Sequence, residues 1–334
     1  MIIESKVHAK NLVKWAKEKK EVLVLSADLT SSTEIDLFRE TYPERFLSMG
    51  IAEQNMLSFA GGLAREGFIP FIHTFAVFIY RRAYDQIAMS VSYPNLPVKM
   101  FGFLPGITTP GGVTHQAIED ISVMRSLPNM TILDCGDATD VESVLDVAYC
   151  VDGPVYIRML RGEIPRLFDK DDTMKLGVNR TISKGSDIVI LSCGICTEEA
   201  MRAVTMLQKK GLSVHHVHVS TLKPFHSGPI LDSINKSKYG VITMENHSTT
   251  GGLGTIIAEE LAQSGIGKKL YKIGIKAYSH GASKAYLMKE CKIDAISLIE
   301  QIEIITKNKF GIQEEDLEKV YIAPVHSNSK AEAL

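Results

Sequence analysis

Short apolar runs alternate with segments of helical periodicity along most of the chain. The runs predict buried strands, and the periodic segments predict amphipathic helices that cover them. In the first half we expect strands at residues 22–25, 98–101, 130–133 and 155–158, and helices near residues 12–16 and at residues 52–64, 84–92 and 138–149. Asp137 precedes the last of these helices and is a favourable N-cap. Strands separated by helices indicate an α/β fold class with a mainly parallel sheet.

Residues 161–180 interrupt this rhythm with Gly162, Pro165 and a charged run at 169–172. The alternation then restarts, with strands predicted at residues 187–193, 212–219, 239–245 and 270–275, and helices at 197–209, from 230 onward, at 254–264 and at 283–305 with a break near Ile293. We therefore predict two domains, each a mainly parallel sheet flanked by helices. Their expected bounds are residues 1–165 and 181–308, with a linker at 166–180 and a C-terminal arm and tail at 309–334.

Composition narrows the classes of protein that this chain can be. Its 334 residues are 45% hydrophobic and 23% charged, values that exclude a disordered, collagen-like or disulfide-dominated chain. The net charge of -2 gives no electrostatic argument for binding nucleic acid or an anionic membrane. No apolar stretch approaches the roughly 20 residues of a membrane helix, and the N-terminus lacks a signal-peptide pattern. Five scattered cysteines favour reduced thiols in a cytoplasmic protein.

Three segments carry candidate chemistry. Glu53 stands in Gly-Ile-Ala-Glu-Gln-Asn-Met at the start of an apolar helix, aromatic residues crowd residues 70–86, and a Gly-Gly loop presents His115. Each segment also has a structural explanation. A first-turn glutamate is favoured by the helix dipole, aromatic clusters are usually core, and a lone loop histidine usually has no catalytic role.

The order and spacing of these segments resemble the C-terminal half of transketolases, as in split transketolases encoded as two subunits. The resemblance extends over about residues 5–308. Its motifs are Ser-Ala-Asp-Leu-Thr at 26–30, Gly-Ile-Ala-Glu-Gln-Asn-Met at 50–56, Thr-Phe through Phe at 74–78, Arg-Ala-Tyr-Asp-Gln at 82–86, Thr-His-Gln at 114–116, Gly-Pro-Val-Tyr at 153–156, Glu-Asn-His-Ser at 245–248, Gly-Gly-Leu-Gly at 251–254 and His-Gly-Ala-Ser at 280–283. It implies a thiamine diphosphate pyrimidine-binding domain followed by a transketolase C-terminal domain.

The resemblance also implies an activity. The chain would be one subunit of a transketolase that moves a two-carbon ketol unit from an anionic ketose to an aldose through a thiamine diphosphate carbanion. Glu53 would be catalytic beside the pyrimidine, and His115 would be catalytic and contact substrate. The remaining roles implied are cofactor contacts by Phe75, Phe78, Arg81 and Asp28, and contacts to the substrate's anionic group by Ser32 and Arg161.

One family motif is missing from the sequence. Transketolases hold the diphosphate and its Mg²⁺ through a Gly-Asp-Gly motif in an N-terminal domain, and the nearest string here is Gly-Asp-Ala at 136–138. We therefore expect no metal site in this chain. The resemblance implies a separate N-terminal subunit that carries the Mg²⁺ site, in an α₂β₂ assembly.

The departures from the family pattern lie on the substrate side. Residues 109–112 lack the usual acidic residue, Ser5 and Lys6 occupy the place of an N-terminal arginine, and no histidine occurs at 101–104. These changes favour a substrate other than the usual pentose phosphates, such as a branched or sulfonated sugar.

Two other functions stay open at this point. The β subunit of a 2-oxoacid dehydrogenase decarboxylating component has a similar length and plan, and a non-catalytic assembly subunit could keep the fold. The presence of Glu53 and Phe78 argues against the second.

Three weaker motifs are a Cys-x-x-Cys pair, three histidines in one strand and a glycine-rich helix start that could hold an anion; their residues are Cys193, Cys196, His215, His216, His218 and residues 251–254.

Overall fold

The computed structural model describes residues 1–326. Its strands are β1 (Ile2–Ser5), β2 (Val22–Ser26), β3 (Phe46–Ser48), β4 (Ile69–Phe75), β5 (Lys99–Phe103), β6 (Thr131–Asp134), β7 (Val155–Met159), β8 (Glu163–Arg166), β9 (Arg180–Ser183), β10 (Ile188–Ser192), β11 (Val214–His218), β12 (Thr221–Lys223), β13 (Val241–Ser248) and β14 (Leu270–Ile275). The part of the predicted tail at residues 327–334 lies outside the described residues.

Helices alternate with these strands. They are α1 (Val7–Trp15), α2 (Asp36–Thr41), α3 (Glu53–Arg65), α4 (Ala76–Arg82), α5 (Tyr84–Gln86), α6 (Asp120–Arg125), α7 (Ala138–Tyr149), α8 (Cys196–Lys209), α9 (Gly228–Lys236), α10 (Leu253–Gln263), α11 (Lys284–Glu290), α12 (Ala295–Thr306) and α13 (Glu314–Glu318). A π-helix spans Ile87–Ser92, and short 3₁₀ helices span Ala16–Glu18, Ser31–Thr33, Pro43–Arg45 and Val113–His115. None of these helices is both long and apolar enough to cross a bilayer, within residues 1–326.

The first sheet has seven strands in the order β12-β6-β7-β5-β4-β2-β3. Six of them run parallel, and β12 runs antiparallel to β6. Strand β2 is buried along its whole length, because helices cover both faces of a parallel sheet. Strand β12 comes from the second half of the chain, inside the region predicted as the second domain.

The second sheet has five strands in the order β14-β13-β10-β11-β9. Four are parallel, and β9 pairs antiparallel with β11 at the edge. The predicted fold class, two mainly parallel sheets flanked by helices, is thus confirmed. A small antiparallel pair, β1 with β8, joins the N-terminus to the segment that follows the first sheet.

The best sequence predictions are those fixed by local signals. Helix α7 spans residues 138–149 as predicted, and the Asp137 side chain accepts a hydrogen bond from the Asp140 amide at 2.8 Å. The break near Ile293 separates α11 from α12. The single helix predicted at 84–92 is instead one α-turn followed by a π-helix.

The C-terminal arm packs back onto the segment between the two sheets. Phe168 and Val325 form a bridge, with the Asp169 amide 3.0 Å from the Val325 carbonyl oxygen. Ile322 is buried with Phe168 and Met201 in a small apolar cluster. The arm is therefore part of the folded body through residue 326.

Candidate active site

Glu53 is the first residue of helix α3, which follows the carboxyl end of β3 in the first sheet. Gly50, with φ 68°, makes the turn into the helix, a conformation that favours glycine. The Glu53 side chain is only 4% exposed, and its Oε1 accepts a hydrogen bond from Arg82 at 2.7 Å. Within residues 1–326 its Oε2 has no hydrogen-bond partner, which leaves that oxygen available to a ligand.

Two phenylalanine rings lie next to this ion pair. Phe75 is the last residue of β4, and Phe78 lies one turn into α4, with 5.8 Å between the ring centroids. The Arg82 guanidinium lies over the Phe78 ring, 4.0 Å from its centroid. One guanidinium thus contacts both the Glu53 carboxylate and an aromatic ring.

The His115 ring lies edge-on to the same pair of rings. Its centroid is 5.5 Å from that of Phe78 and 6.1 Å from that of Phe75. Thr114 Oγ1 lies 2.9 Å from His115 Nδ1, and the His115 side chain is half-buried. The structure therefore brings together four predicted site residues, Glu53, Phe75, Phe78 and His115, around an arginine that sequence reasoning did not select.

The neighbouring arginine, Arg81, contacts a different carboxylate within the chain. Arg81, expected to contact the cofactor, donates to Glu119 at 2.9 Å and to the carbonyl oxygens of Val113 and Gln116 at 3.3 and 3.2 Å. It holds the loop that carries His115. Adjacent helical residues point about 100° apart, so only one of the two arginines can face Glu53; that residue is Arg82.

Asp28, the remaining residue predicted to contact the cofactor, lies in the turn after β2. It follows β2 with φ 59° and is exposed. In the described part of the chain no hydrogen bond or ion pair joins it to the residues around Glu53.

Ser32 and Arg161 lie together in a second group. Arg161 Nη1 donates to the backbone oxygen of Ser32 at 2.7 Å, so the contact does not involve the serine hydroxyl. The Gly162 amide donates to Glu34 at 2.7 Å, and the Lys6 amide donates to the Gly162 oxygen at 3.3 Å. Burial raises the pKa of Glu34, although Gly162, Arg161 and Lys6 act in the opposite direction. Two exposed cations thus flank one buried carboxyl group.

The cysteine and histidine motifs have structural surroundings. Cys193 and Cys196 are buried, and burial raises the pKa of both thiols well above its usual value, which disfavours a reactive thiolate. His216 Nε2 lies 2.8 Å from Ser192 Oγ, and His218 Nε2 lies 3.0 Å from Asp140. Over residues 1–326, no group of three or more His, Cys, Asp and Glu side chains is arranged to hold a metal ion.

The glycine-rich start of α10 already has an anion. The Glu245 carboxylate accepts hydrogen bonds from the amides of Leu253 and Gly254 at 2.7 and 2.9 Å. The expectation that residues 251–254 could bind an external anion is therefore corrected. The chain's own carboxylate fills that helix terminus.

Comparison with known proteins gives the family. Residues 4–166 match the transketolase pyrimidine binding domain, and residues 177–296 match the transketolase C-terminal domain. A protein of Methanocaldococcus jannaschii described as a transketolase C-terminal section is 36% identical, over 89% of this chain and 94% of that protein. The 6-deoxy-6-sulfo-D-fructose transketolase subunit SqwH of Clostridium sp. is 35% identical, over 89% of this chain and 92% of that protein.

A solved structure described as a split gene transketolase, an inactive beta4 tetramer, superposes with a TM-score of 0.83. It is 34% identical and covers 90% of this chain and 97% of that chain. The chain therefore belongs to the transketolase family, and it corresponds to the pyrimidine-binding and C-terminal domains of that family.

The family implies thiamine diphosphate as cofactor, and the residues present fit its pyrimidine ring. A carboxylate with one unused oxygen suits a ring nitrogen, and the paired phenyl rings of Phe75 and Phe78 offer an apolar surface for stacking. This chain thus offers the groups for one end of the cofactor.

Proposed function

We propose that this chain is one subunit of a two-subunit transketolase that transfers a two-carbon ketol unit from an anionic ketose to an aldose. The observation that carries the proposal is the Glu53 carboxylate, buried, paired with Arg82 on one oxygen and unused on the other, beside Phe75, Phe78 and His115. Glu53 also borders a surface depression, so a ligand can reach this carboxylate from outside the chain.

Each of these side chains has a chemical task. The chemistry supplied by bound thiamine diphosphate is an electron sink for breaking the bond beside a ketose carbonyl. Glu53 would hold a proton between its free oxygen and the pyrimidine nitrogen, and the Arg82 contact would hold the carboxylate in place. Phe75 and Phe78 would fix the ring by stacking, and half-buried His115 would hydrogen-bond the oxygens of the sugar.

The site's open face supports a partner subunit. Glu53 and Arg82 border a surface depression whose other lining residues are Ile51, Ala52, Gln54 and Asn55. The sequence lacks the Gly-Asp-Gly motif that holds the diphosphate and Mg²⁺ in the family. We infer that an N-terminal transketolase subunit supplies that half, with the cofactor at the junction of an α₂β₂ assembly. SqwH is itself named as a subunit.

The group around Arg161 supports an anionic sugar. Arg161 and Lys6 are exposed cations. The Arg161 side chain donates to the Ser32 carbonyl oxygen, and the Lys6 backbone amide donates to the carbonyl oxygen of Gly162, the residue after Arg161. No acidic residue occurs at 109–112 to select a sugar hydroxyl in the usual way. We infer a donor that differs from the pentose phosphates, and the name of the relative SqwH makes a 6-sulfonated ketose the first donor to assay.

The catalytic role is tested with Glu53→Gln in the complex with the N-terminal subunit. We expect ketol transfer to fall by about 100-fold or more, because the amide cannot exchange the proton. Glu66→Gln, at the exposed C-terminal end of the same helix, is the matched control and is expected to keep full activity. An unchanged rate in Glu53→Gln would favour the non-catalytic assembly subunit.

The split of the site is tested by binding. Calorimetric titration of thiamine diphosphate and Mg²⁺ is expected to show binding only when both subunits are present. Micromolar binding by this chain alone would contradict the division of the cofactor site. Activity with 2-oxoacids in place of ketoses would favour the 2-oxoacid dehydrogenase alternative.

A further inference from the structure

The loop that presents His115 is in contact with the second domain. Gln116 Nε2 donates to the His280 carbonyl oxygen at 3.1 Å. A Cβ atom on Gly281 would lie 2.5 Å from the Pro110 carbonyl oxygen, so only glycine fits there. The segment of residues 278–281, which we call the contact segment, thus touches both ends of the loop at 110–116.

Glu119 links the contact segment to the same loop, because it bonds both to Tyr278 and to the arginine that contacts the loop. Tyr278 donates its hydroxyl to Glu119 Oε1, and Tyr80 donates to Oε2. Arg81 donates to Glu119 at 2.9 Å and also reaches the carbonyl oxygens of Val113 and Gln116. Those two carbonyls bracket His115, so the position of Glu119 sets the position of the arginine, and the arginine sets the loop.

The electrostatics show that this arrangement holds a charged carboxylate. Burial acts to raise the pKa of Glu119, but the hydrogen bonds from Tyr278, Tyr80 and Arg81 outweigh it and lower the pKa overall. A charged acceptor strengthens each of these hydrogen bonds relative to a neutral one. The Tyr278 hydroxyl is the one donor in this set that belongs to the second domain.

The contact segment is itself held by the second domain. Ser279 Oγ donates to Glu290 at 2.7 Å, and His280 Nδ1 lies 3.5 Å from the same carboxylate. Glu290 is the last residue of α11. The contact segment is therefore bound to α11 through Ser279 and His280, and to Glu119 through Tyr278.

We propose that Tyr278 is a positioning residue, through which the C-terminal domain fixes His115 for contact with the ketose. The inference rests on the proposed function and adds to it a role for the second domain in substrate binding. The Tyr278 hydroxyl bonds to Glu119, so we assign its effect on His115 to the path through Glu119 and Arg81.

The test is Tyr278→Phe in the two-subunit complex, with Tyr321→Phe, an exposed tyrosine of the C-terminal arm, as matched control. We expect KM for the ketose donor to rise by about three- to tenfold, the range that the net contribution of one ordinary hydrogen bond produces, because Tyr278 is largely exposed. Apparent affinity for thiamine diphosphate and the melting temperature stay unchanged. In hydrogen exchange on the chain, amides of residues 109–116 exchange faster in Tyr278→Phe and not in Tyr321→Phe.

A second variant approaches the same contact from the other side. Gly281 has no positive φ, so alanine keeps the backbone, but its Cβ would displace the Pro110 carbonyl. Gly281→Ala is expected to raise KM for the ketose more than Tyr278→Phe does.

Failure of the inference and failure of the proposed function give different results. Unchanged exchange at 109–116 in Tyr278→Phe, or unchanged KM despite faster exchange, would overturn the inference while a slow Glu53→Gln enzyme still supports the function. Absence of ketol transfer by the unmodified complex would instead overturn the proposed function. The exchange measurement would then still report whether Tyr278 holds the loop.

Discussion

Two polar regions of this chain differ in how their hydrogen bonds are used. In the seam between the domains, buried Arg158 donates to Asp120 at 2.9 Å, to Asp134 at 2.8 Å and to the Asn246 carbonyl oxygen at 2.8 Å, and Tyr156 donates to Asp120 at 2.8 Å. We call these five residues the seam cluster. At the candidate active site, by contrast, Glu53 borders a surface depression, His115 is half-buried and Arg161 is exposed, whereas in the seam cluster an oxygen without a hydrogen-bond partner among the described residues, Asp120 Oδ1, is buried.

The difference separates structural from functional polar residues. Breaking a buried ion pair leaves a charge without a partner, so the pairs of Arg158 support the fold, and its bond to the Asn246 carbonyl oxygen also joins the two domains. A carboxylate with an unused oxygen at a surface depression contributes little to folding and keeps its capacity for a ligand. Burial of charge by itself therefore does not mark the active site of this protein.

The largest expected effect on stability is at the seam cluster. Arg158→Met leaves the carboxylates of Asp120 and Asp134 buried without their cation, which costs about 3–5 kcal/mol of the free energy of unfolding. Urea denaturation followed by circular dichroism measures it. Arg202→Met, which removes a partly exposed i,i+4 pair with Glu198, is the control and is expected to cost about 0.5 kcal/mol. Equal losses in the free energy of unfolding for the two variants would show that the seam cluster is no more important for stability than an ion pair at the surface.

A pH effect of intermediate size is expected from His247, beside the seam cluster. Its Nδ1 lies 2.7 Å from the Ser248 carbonyl oxygen, and its Nε2 lies 3.4 Å from the Ser122 amide, a geometry that fits the neutral ring. Burial lowers the pKa of His247 to about 4. Between the unfolded pKa of about 6.5 and that value, the unfolded chain binds a proton that the folded chain does not. Stability is thus lost as the pH falls.

The measurement compares the wild type with His247→Gln at pH 7 and pH 5. The variant lacks this proton-linked loss, so the stability advantage of the wild type should shrink by about 2 kcal/mol between the two pH values. Parallel stability curves for the two proteins would show that His247 titrates normally in the folded state.

The smallest expected effect on stability is at the active site itself. Glu53→Gln removes an ion pair whose Arg82 side chain is 45% exposed, and such pairs contribute about 0–1 kcal/mol. Urea denaturation should therefore barely distinguish this variant from the wild type, although its catalytic rate is expected to collapse. A loss as large as that of Arg158→Met would make Glu53 part of the folding core.

Local signals explain which parts of the fold the sequence predicts. Helix α7 follows from a capping aspartate and apolar periodicity, and β14 follows from a short apolar run with the predicted bounds, residues 270–275. The pairing of β1 with β8 joins residues more than 150 positions apart, and neither short segment has a distinctive pattern. Such pairings depend on tertiary packing and stay hidden in a single sequence.

The candidate site divides in the same way. Glu53, Phe75, Phe78 and His115 were selected from motifs, and they do lie together. The sequence does not show that Arg82 pairs with Glu53, because Arg81 and Arg82 are adjacent and differ only in which way the helix points each side chain. The role of Tyr278 depends on how two domains dock, a contact across 159 positions of sequence.

The first sheet can be completed only after strand β12 has been synthesised, late in translation of the chain. Residues 221–223 close the exposed edge of β6, yet they leave the ribosome after the strands and helices of the first sheet and after half of the second. Until then β6 presents unpaired backbone groups, the kind of edge at which nascent chains associate wrongly. A gene fragment that stops at the end of the pyrimidine-binding domain would keep that edge open permanently. Attempts to produce this domain alone should therefore carry residues through Lys223, or supply a substitute strand.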